Sequence, residues 1–173
     1  MRTTFLKLSV AAVMLFGSVY TVFALESDYS KPINVLSVEQ FADLKANKVI
    51  FSGNVVATQG TMKITADKVE ITRDDDGKLK MVTAYGSPTT FEQMMENGKP
   101  IHSRSATINY EPNKNLIVLT GKATVWQGES RMFGERIEYN VKTQTMRANN
   151  KTKSQGGRVS STFIPSDFQQ QKK

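Results

Sequence analysis

Residues 46–71 read ANKVIFSGNVVATQGTMKITADKVEI, and residues 114–139 read KNLIVLTGKATVWQGESRMFGERIEY. The two stretches align without a gap at an offset of 68. Gly53 matches Gly121, Gln59-Gly60 matches Gln127-Gly128, and Asp67-Lys-Val-Glu70 matches Glu135-Arg-Ile-Glu138. Within each copy, short apolar segments alternate with polar positions at a period of two, as in Met62-Lys-Ile-Thr65 and Asp67-Lys-Val-Glu-Ile-Thr72. That period belongs to β-strands with one buried face. From Ile33 onward no helical period competes with it.

A looser copy lies between the two. Gly86-Ser-Pro-Thr-Thr-Phe91 resembles Gly121-Lys-Ala-Thr-Val-Trp126, and Thr107-Ile-Asn-Tyr110 resembles Arg136-Ile-Glu-Tyr139. The unit is therefore about half the offset, one pair of strands. Such a unit cannot bury its own apolar face, whereas stacked copies bury a continuous one. The recurring Gly is expected at sharp corners or bulges. Asp74-Asp-Asp-Gly77, Asn97-Gly98 and Glu111-Pro-Asn-Lys-Asn115 read as turns between strands.

Alternation assigns an inner face. Val49, Phe51, Val55, Ile64, Val69 and Ile71 point to one side, with a switch of face near Ala66-Asp67. Their counterparts Ile117, Leu119, Ala123, Met132, Ile137 and Tyr139 should do the same. Parity does not distinguish a dry packed core from a ligand trough. The short strands Pro32-Ile-Asn-Val35 and Arg158-Val-Ser-Ser-Thr-Phe163 stand at the two ends of the series with no cap in sight. Uncapped sheet edges pair with other chains, so end-to-end association is expected.

The first residues are of another kind. Arg2 and Lys7 precede an almost wholly apolar run, Leu8 to Phe23, then Ala24 and the polar Leu25-Glu-Ser-Asp28. This is the pattern of a cleaved secretory signal over 1–24; the run is short for an uncleaved membrane anchor. Cleavage would leave 149 residues with a net charge of +5, from +7 for the whole chain. Basic residues are dispersed among acidic ones, which disfavours nucleic acid as a partner. The chain has no Cys, so burial and sheet hydrogen bonds alone must hold it.

Catalytic chemistry finds little to work with. His102 is the single histidine, so a multi-histidine metal site does not arise. Thiolate catalysis is excluded, and no nucleophile-elbow motif accompanies His102. Asp74-Asp75-Asp76 lacks the alternating acids of a calcium loop. Trp126 and Phe91 could stack on a sugar, but such residues more often complete an apolar wall. The expectation is a non-enzymatic protein with no cofactor and no metal.

Several motifs together resemble the OstA-like family: Pro32-Ile33, Phe51-Ser-Gly-Asn-Val55, Thr58-Gln-Gly-Thr61, Ile64-Thr-Ala-Asp-Lys-Val69, Tyr85-Gly-Ser-Pro-Thr-Thr-Phe91, Asn97-Gly-Lys-Pro100, Val118-Leu-Thr-Gly121 and Arg158-Val. The match spans essentially the chain after the leader, with Gln40-Phe-Ala-Asp-Leu-Lys45 only loosely similar. The resemblance implies a twisted, semi-open antiparallel β-jellyroll over 25–165, with a disordered tail at 166–173. It implies a periplasmic carrier of lipopolysaccharide, with the acyl chains of lipid A in an apolar groove. The implied partners are an LptC-like inner-membrane protein at one edge, an LptD-like outer-membrane protein at the other, and further copies stacked head to tail. By motif match Ile33, Val35, Phe91 and Tyr110, with Ile108 beside it, face inward. The implied groove thus comprises Ile33, Val35, Val49, Phe51, Val55, Ile64, Val69, Ile71, Phe91, Ile108, Tyr110, Ile117, Leu119, Ile137 and Tyr139. Lys31, Lys63, Lys68 and Arg136 are candidates for lipid phosphates at its rim. The competing readings are an adaptor with a dry interior, a cell-wall glycan-binding module or enzyme, and an anchored LptC-like protein.

Overall fold

The computed structural model describes residues 28–150 and 157–168. The expected signal segment 1–24 lies outside the described residues. The chain forms a single ten-stranded antiparallel sheet: β1 (Asn34–Leu36), β2 (Glu39–Asp43), β3 (Lys48–Gln59), β4 (Met62–Arg73), β5 (Leu79–Met94), β6 (Pro100–Glu111), β7 (Leu116–Gln127), β8 (Ser130–Asn140), β9 (Thr145–Asn149) and β10 (Ser160–Thr162). The order across the sheet is β1-β3-β4-β5-β6-β7-β8-β10, with β2 also on β3 and β9 also on β8. At one edge, β1 covers Val56–Thr58 while β2 covers Lys48–Ser52. At the other, β10 covers Arg131–Phe133 while β9 covers Arg136–Asn140. The two edges do not pair with each other, so the sheet is not closed.

Six long strands carry the architecture, and the ladders between them are interrupted at mid-length. The register shifts between Ser52 and Val55, Thr65 and Lys68, Tyr85 and Thr89, Arg104 and Thr107, and Thr120 and Ala123. These irregularities line up across the sheet and divide it into two arms. Gly53-Asn54 and Gly121-Lys122, matched positions of the repeat, both have positive φ there. A bulge adds a residue and sharpens the twist, so a row of bulges folds the sheet on itself. The two arms then face each other. Phe91, beyond the bend of β5, lies with its ring centroid 6.2 Å from that of Tyr139, at the far end of β8. The expected semi-open antiparallel jellyroll is the fold formed.

The bend also explains the predicted change of parity. Ala66 and Val69 are both buried although three residues apart, because the shift after Thr65 turns the strand over. The expected turns are present. Gly77 N–H donates to the Asp74 carbonyl at 2.9 Å, Gly98 N–H to the Met95 carbonyl at 2.9 Å, and Pro112–Lys114 form a 3-10 turn. Asp74 uses its carboxylate to accept the Lys78 N–H at 2.8 Å, the role of a turn residue.

Two further 3-10 turns, Asp28–Ser30 and Pro165–Phe168, fold back onto matched positions of the repeat. Asp28 accepts the Thr61 N–H at 2.8 Å and the Thr61 hydroxyl, after Gly60. Asp167 accepts the N–H groups of Glu129 at 3.0 Å and Ser130 at 2.8 Å and the Ser130 hydroxyl at 2.8 Å, after Gly128. Gly60 and Gly128 have positive φ, and a Cβ at either would strike the carboxylate that clasps its turn. Ser166 and Asp167, within the segment expected to be a loose tail, thus belong to an ordered contact; residues 169–173 lie outside the described residues.

Candidate functional site: an apolar interior between two arms of one sheet

The residues assigned by parity and by motif converge on one interior. Phe51, Val55, Ile64, Val69, Phe91, Ile108, Tyr110, Ile117, Leu119, Ile137 and Tyr139 are buried in a single cluster. Val35, Val49, Ile71 and Met132 pack against it, half-buried. Ile33 lines a void beside Phe91, Tyr110 and Ile117. Small side chains, Ala66, Ala84 and Ala123, stand at or beside the bends of β4, β5 and β7. Alternation predicts this grouping because each strand contributes every second residue. The bulges preserve it by resetting the parity where the strand turns.

The interior is tightly packed in this conformation. Among the described residues, the voids beside Phe91 measure about 30 Å³ and about 10 Å³. The larger is about one water molecule's share of liquid volume, far short of an acyl chain.

A polar chain crosses from one arm to the other. The Tyr139 hydroxyl donates to Gln93 Oε1 at 2.9 Å and lies 3.4 Å from Met95 Sδ. Gln93 Nε2 in turn reaches Asp28 Oδ2 at 3.3 Å. Asp28 and Gln93 are both 2% exposed. Burial, then the negative charges of Asp28 and Glu96, push the Tyr139 phenol above its ordinary range, so it stays a donor. Burial raises the Tyr110 phenol as well. Among the described residues the Tyr110 and Ser103 hydroxyls have no hydrogen-bond partner, although both are buried. Sequence reasoning missed Gln93 and Asp28. Gln93 was findable by parity, two residues past Phe91. Asp28 was not, since its partners are 33 and 65 residues away.

The four cations proposed for a rim do not gather at the interior. Lys63, Lys68 and Arg136 alternate with Ile64, Val69 and Ile137, so they stand on the outward face. Lys68 Nζ is 2.8 Å from Glu70, which also pairs with Lys48, and sits 4.8 Å over the Tyr85 ring. The bond to Glu70 raises the Lys68 ammonium; Lys48 and then Lys68 hold the Glu70 carboxyl low. Arg136 is matched to Glu138 in the same way, at 3.0 Å. Lys31 and Lys63 are exposed.

Trp126 departs from the apolar-wall expectation that Phe91 fulfils. It faces outward and stacks on His102, centroids 5.5 Å apart. His102 Nδ1 lies 3.3 Å from Glu92. The neighbouring Ser103 and Ser105 point to the opposite face by alternation and so do not meet His102. Among the described residues, no group of His, Asp and Glu could hold a metal ion.

Both sheet edges present apolar side chains. Leu36, Val38, Phe41 and Leu44 are exposed at the β1–β2 edge, and Val159 and Phe163 beside β10. Among the described residues no helix is long and apolar enough to cross a membrane.

The family model described as LptA/(LptD N-terminal domain) LPS transport protein matches residues 34–145. The lipopolysaccharide export system protein LptA of Escherichia coli (strain K12) is 41% identical over 166 residues, covering 95% of this chain and 87% of that protein. The lipopolysaccharide export system protein LptH of Pseudomonas aeruginosa is 34% identical over 133 residues, 76% of each. A crystal structure of Pseudomonas aeruginosa LptH, described as the LptA homologous periplasmic component of the lipopolysaccharide transport device, superimposes with a TM-score of 0.73 at 30% identity, covering 80% of this chain and 99% of that one. The family model spans most of the sheet and the relatives cover most of the chain: this chain belongs to the LptA/LptD N-terminal domain family of lipopolysaccharide transport proteins.

Proposed function

We propose that the protein is a periplasmic bridge that takes lipopolysaccharide between the inner and outer membranes, holding the acyl chains of lipid A between the two arms of its sheet. The observation that carries this reading is the continuous apolar interior running from one open edge to the other. Each methylene removed from water is worth about 0.8 kcal/mol, so a long acyl chain needs no directional chemistry. The unpaired edges β1–β2 and β9–β10 suit strand addition by neighbouring proteins. These are an LptC-like inner-membrane protein at one end, an LptD-like outer-membrane protein at the other, and further copies of this chain between them. The relatives are named for lipopolysaccharide export.

Loading requires the arms to part, since the interior voids are water-sized. The Tyr139–Gln93–Asp28 chain spans the gap that would open. Its hydrogen bonds are few enough for acyl burial to outweigh them. The closed interior equally favours a second reading, an adaptor that joins envelope complexes through its edges and carries no lipid inside.

Photo-crosslinking separates the two. A crosslinking residue at Ile33, Val35, Phe91 or Tyr110 should form adducts with lipopolysaccharide in cells, and one at the outward Asn34 or Glu92 should not. Absence of adducts at all four inward positions, in folded variants that still support transport, would establish the adaptor.

A further inference from the structure

The outward face carries a groove that the transport reading does not use. Arg104 of β6, Thr124 of β7 and Phe133 of β8 are register neighbours, and so are His102, Trp126 and Arg131 in the adjoining row. Their inward alternates are Ser103, Val125 and Met132, so all six project from the convex side. Arg104, Thr124, Trp126, Arg131 and Phe133, together with Lys122 in the bulge of β7, border two adjoining cavities of about 570 Å³ and about 320 Å³, which share Arg104, Thr124 and Phe133. Clefts of several hundred cubic ångströms are the size that encloses a small ligand.

The chemistry of the walls is selective. Arg104, Lys122 and Arg131 have exposed side chains with no ion pair or hydrogen bond among the described residues. Elsewhere on this same face Lys68 is matched to Glu70 and Arg136 to Glu138. The one carboxylate on the groove, Glu135, is 3.5 Å from the Lys122 backbone N–H. Three cations therefore face one anion. Between them stand Trp126 and the 40%-exposed Phe133. A guanidinium binds a phosphate or carboxylate through paired N–H donors. An aromatic face accepts the apolar face of a sugar ring, burying C–H groups that a free inorganic ion lacks.

We infer that this groove is a binding site for an anionic saccharide, with Arg104 and Arg131 holding the acidic group and Trp126 and Phe133 packing on the ring. The acid is either the phosphate of a lipopolysaccharide core sugar or the carboxylate of a cell-wall glycan; the groove recognises what the two share.

Trp126 is the sole tryptophan of the chain, so its fluorescence reports on this groove. The test titrates the purified protein, by calorimetry and by tryptophan emission, with three probes: deacylated phosphorylated core oligosaccharide from lipopolysaccharide, a soluble muropeptide, and inorganic phosphate. Removing the acyl chains keeps the interior out of the measurement. The expected result is saturable binding of one saccharide with a change in Trp126 emission, and a Kd raised about tenfold or more in R104A/R131A. Both arginines are exposed, so that variant should melt with the parent. Binding of the core oligosaccharide assigns the phosphate source, and binding of the muropeptide the wall source. Failure of both saccharides to bind, an unchanged Kd in R104A/R131A, or equal affinity for inorganic phosphate would overturn the inference. None of these results bears on interior crosslinking, which tests the transport function separately.

Discussion

The two ends of the chain close matched turns with the same device but to different depth. Asp28 at the Gly60-Thr61 turn is 2% exposed and continues through Gln93 to Tyr139, from one arm to the other. The Asp167 carboxylate stays on the Gly128-Glu129-Ser130 turn, while its carbonyl accepts from Lys99 Nζ and from Asn97, which bonds Gln127 but does not reach the opposite arm. The strand that leads from Asp28, β1, is followed by contact with the core at Val35, whereas the three residues of β10 are all exposed. The N-terminal clasp is thus part of the interior, and the C-terminal clasp belongs to the edge. A repeat can copy a turn and its carboxylate, yet the surroundings decide what that carboxylate does.

The largest test of the difference between the two halves lies in the core. Ile117→Ala should cost ~2–5 kcal/mol by urea unfolding, as a fully buried aliphatic in a central strand. The matched Val49→Ala should cost clearly less, because Val49 is half-buried under the short β2. Equal losses would mean that the edge strands shield β3 as fully as β6 and β8 shield β7.

Asp28→Ala comes next. It strips the Thr61 N–H, the Thr61 hydroxyl and the buried Gln93 amide of one acceptor, at ~1–3 kcal/mol, and should raise lipopolysaccharide crosslinking at Phe91. Asp167→Ala should free only the 129–130 turn, seen as faster amide exchange at Glu129 and Ser130, and leave crosslinking unchanged. Increased crosslinking in both variants would erase the distinction between an interior clasp and an edge clasp.

Gly60→Ala and Gly128→Ala should each lose ~1–2 kcal/mol from the positive φ alone. The Gly60 variant should lose more, because its Cβ pushes on a buried carboxylate. Thermal melts of the pair measure this directly.

The smallest effect is one of pH. The Ser130 hydroxyl, and then the Ser130 and Glu129 N–H groups, hold the Asp167 carboxyl below its ordinary value of 3.8. A depressed pKa means that the folded state binds the proton less readily than the unfolded one. The clasp therefore contributes fully above the ordinary carboxylate range and is lost as pH falls through the lowered value. Protection of the Ser130 amide should hold above the ordinary carboxylate range and fall as the pH drops through the lowered Asp167 value, and Asp167→Asn should flatten that dependence.

The inner face was legible because alternation is a local property. Ile64, Val69, Leu119 and Ile137 could be placed by counting from a turn, with one change of parity at Ala66-Asp67. Trp126 was misjudged as wall because composition was weighed above parity: it stands one residue after Val125, and parity turns it outward. The cations Lys68 and Arg136 are at matched repeat positions, and so are the carboxylates Glu70 and Glu138 two residues on, so their pairing was there to be read. Asp28 and Asp167 carried no such signal, since a lone acidic residue near a chain end has no pattern around it.

By itself the sequence determined the repeated long strands, their turns, the bends at Gly53 and Gly121 and the apolar side of those strands. All of these follow from a period of two and from the residues that interrupt it, within a dozen positions of one another. Tertiary structure alone decided that the arms meet at Phe91 and Tyr139, that Asp28 and Gln93 bridge them, and that the voids beside Phe91 are water-sized. Those features depend on pairs such as Gln93 and Tyr139, 46 residues apart, whose meeting is set by the summed twist and bend of every strand between them.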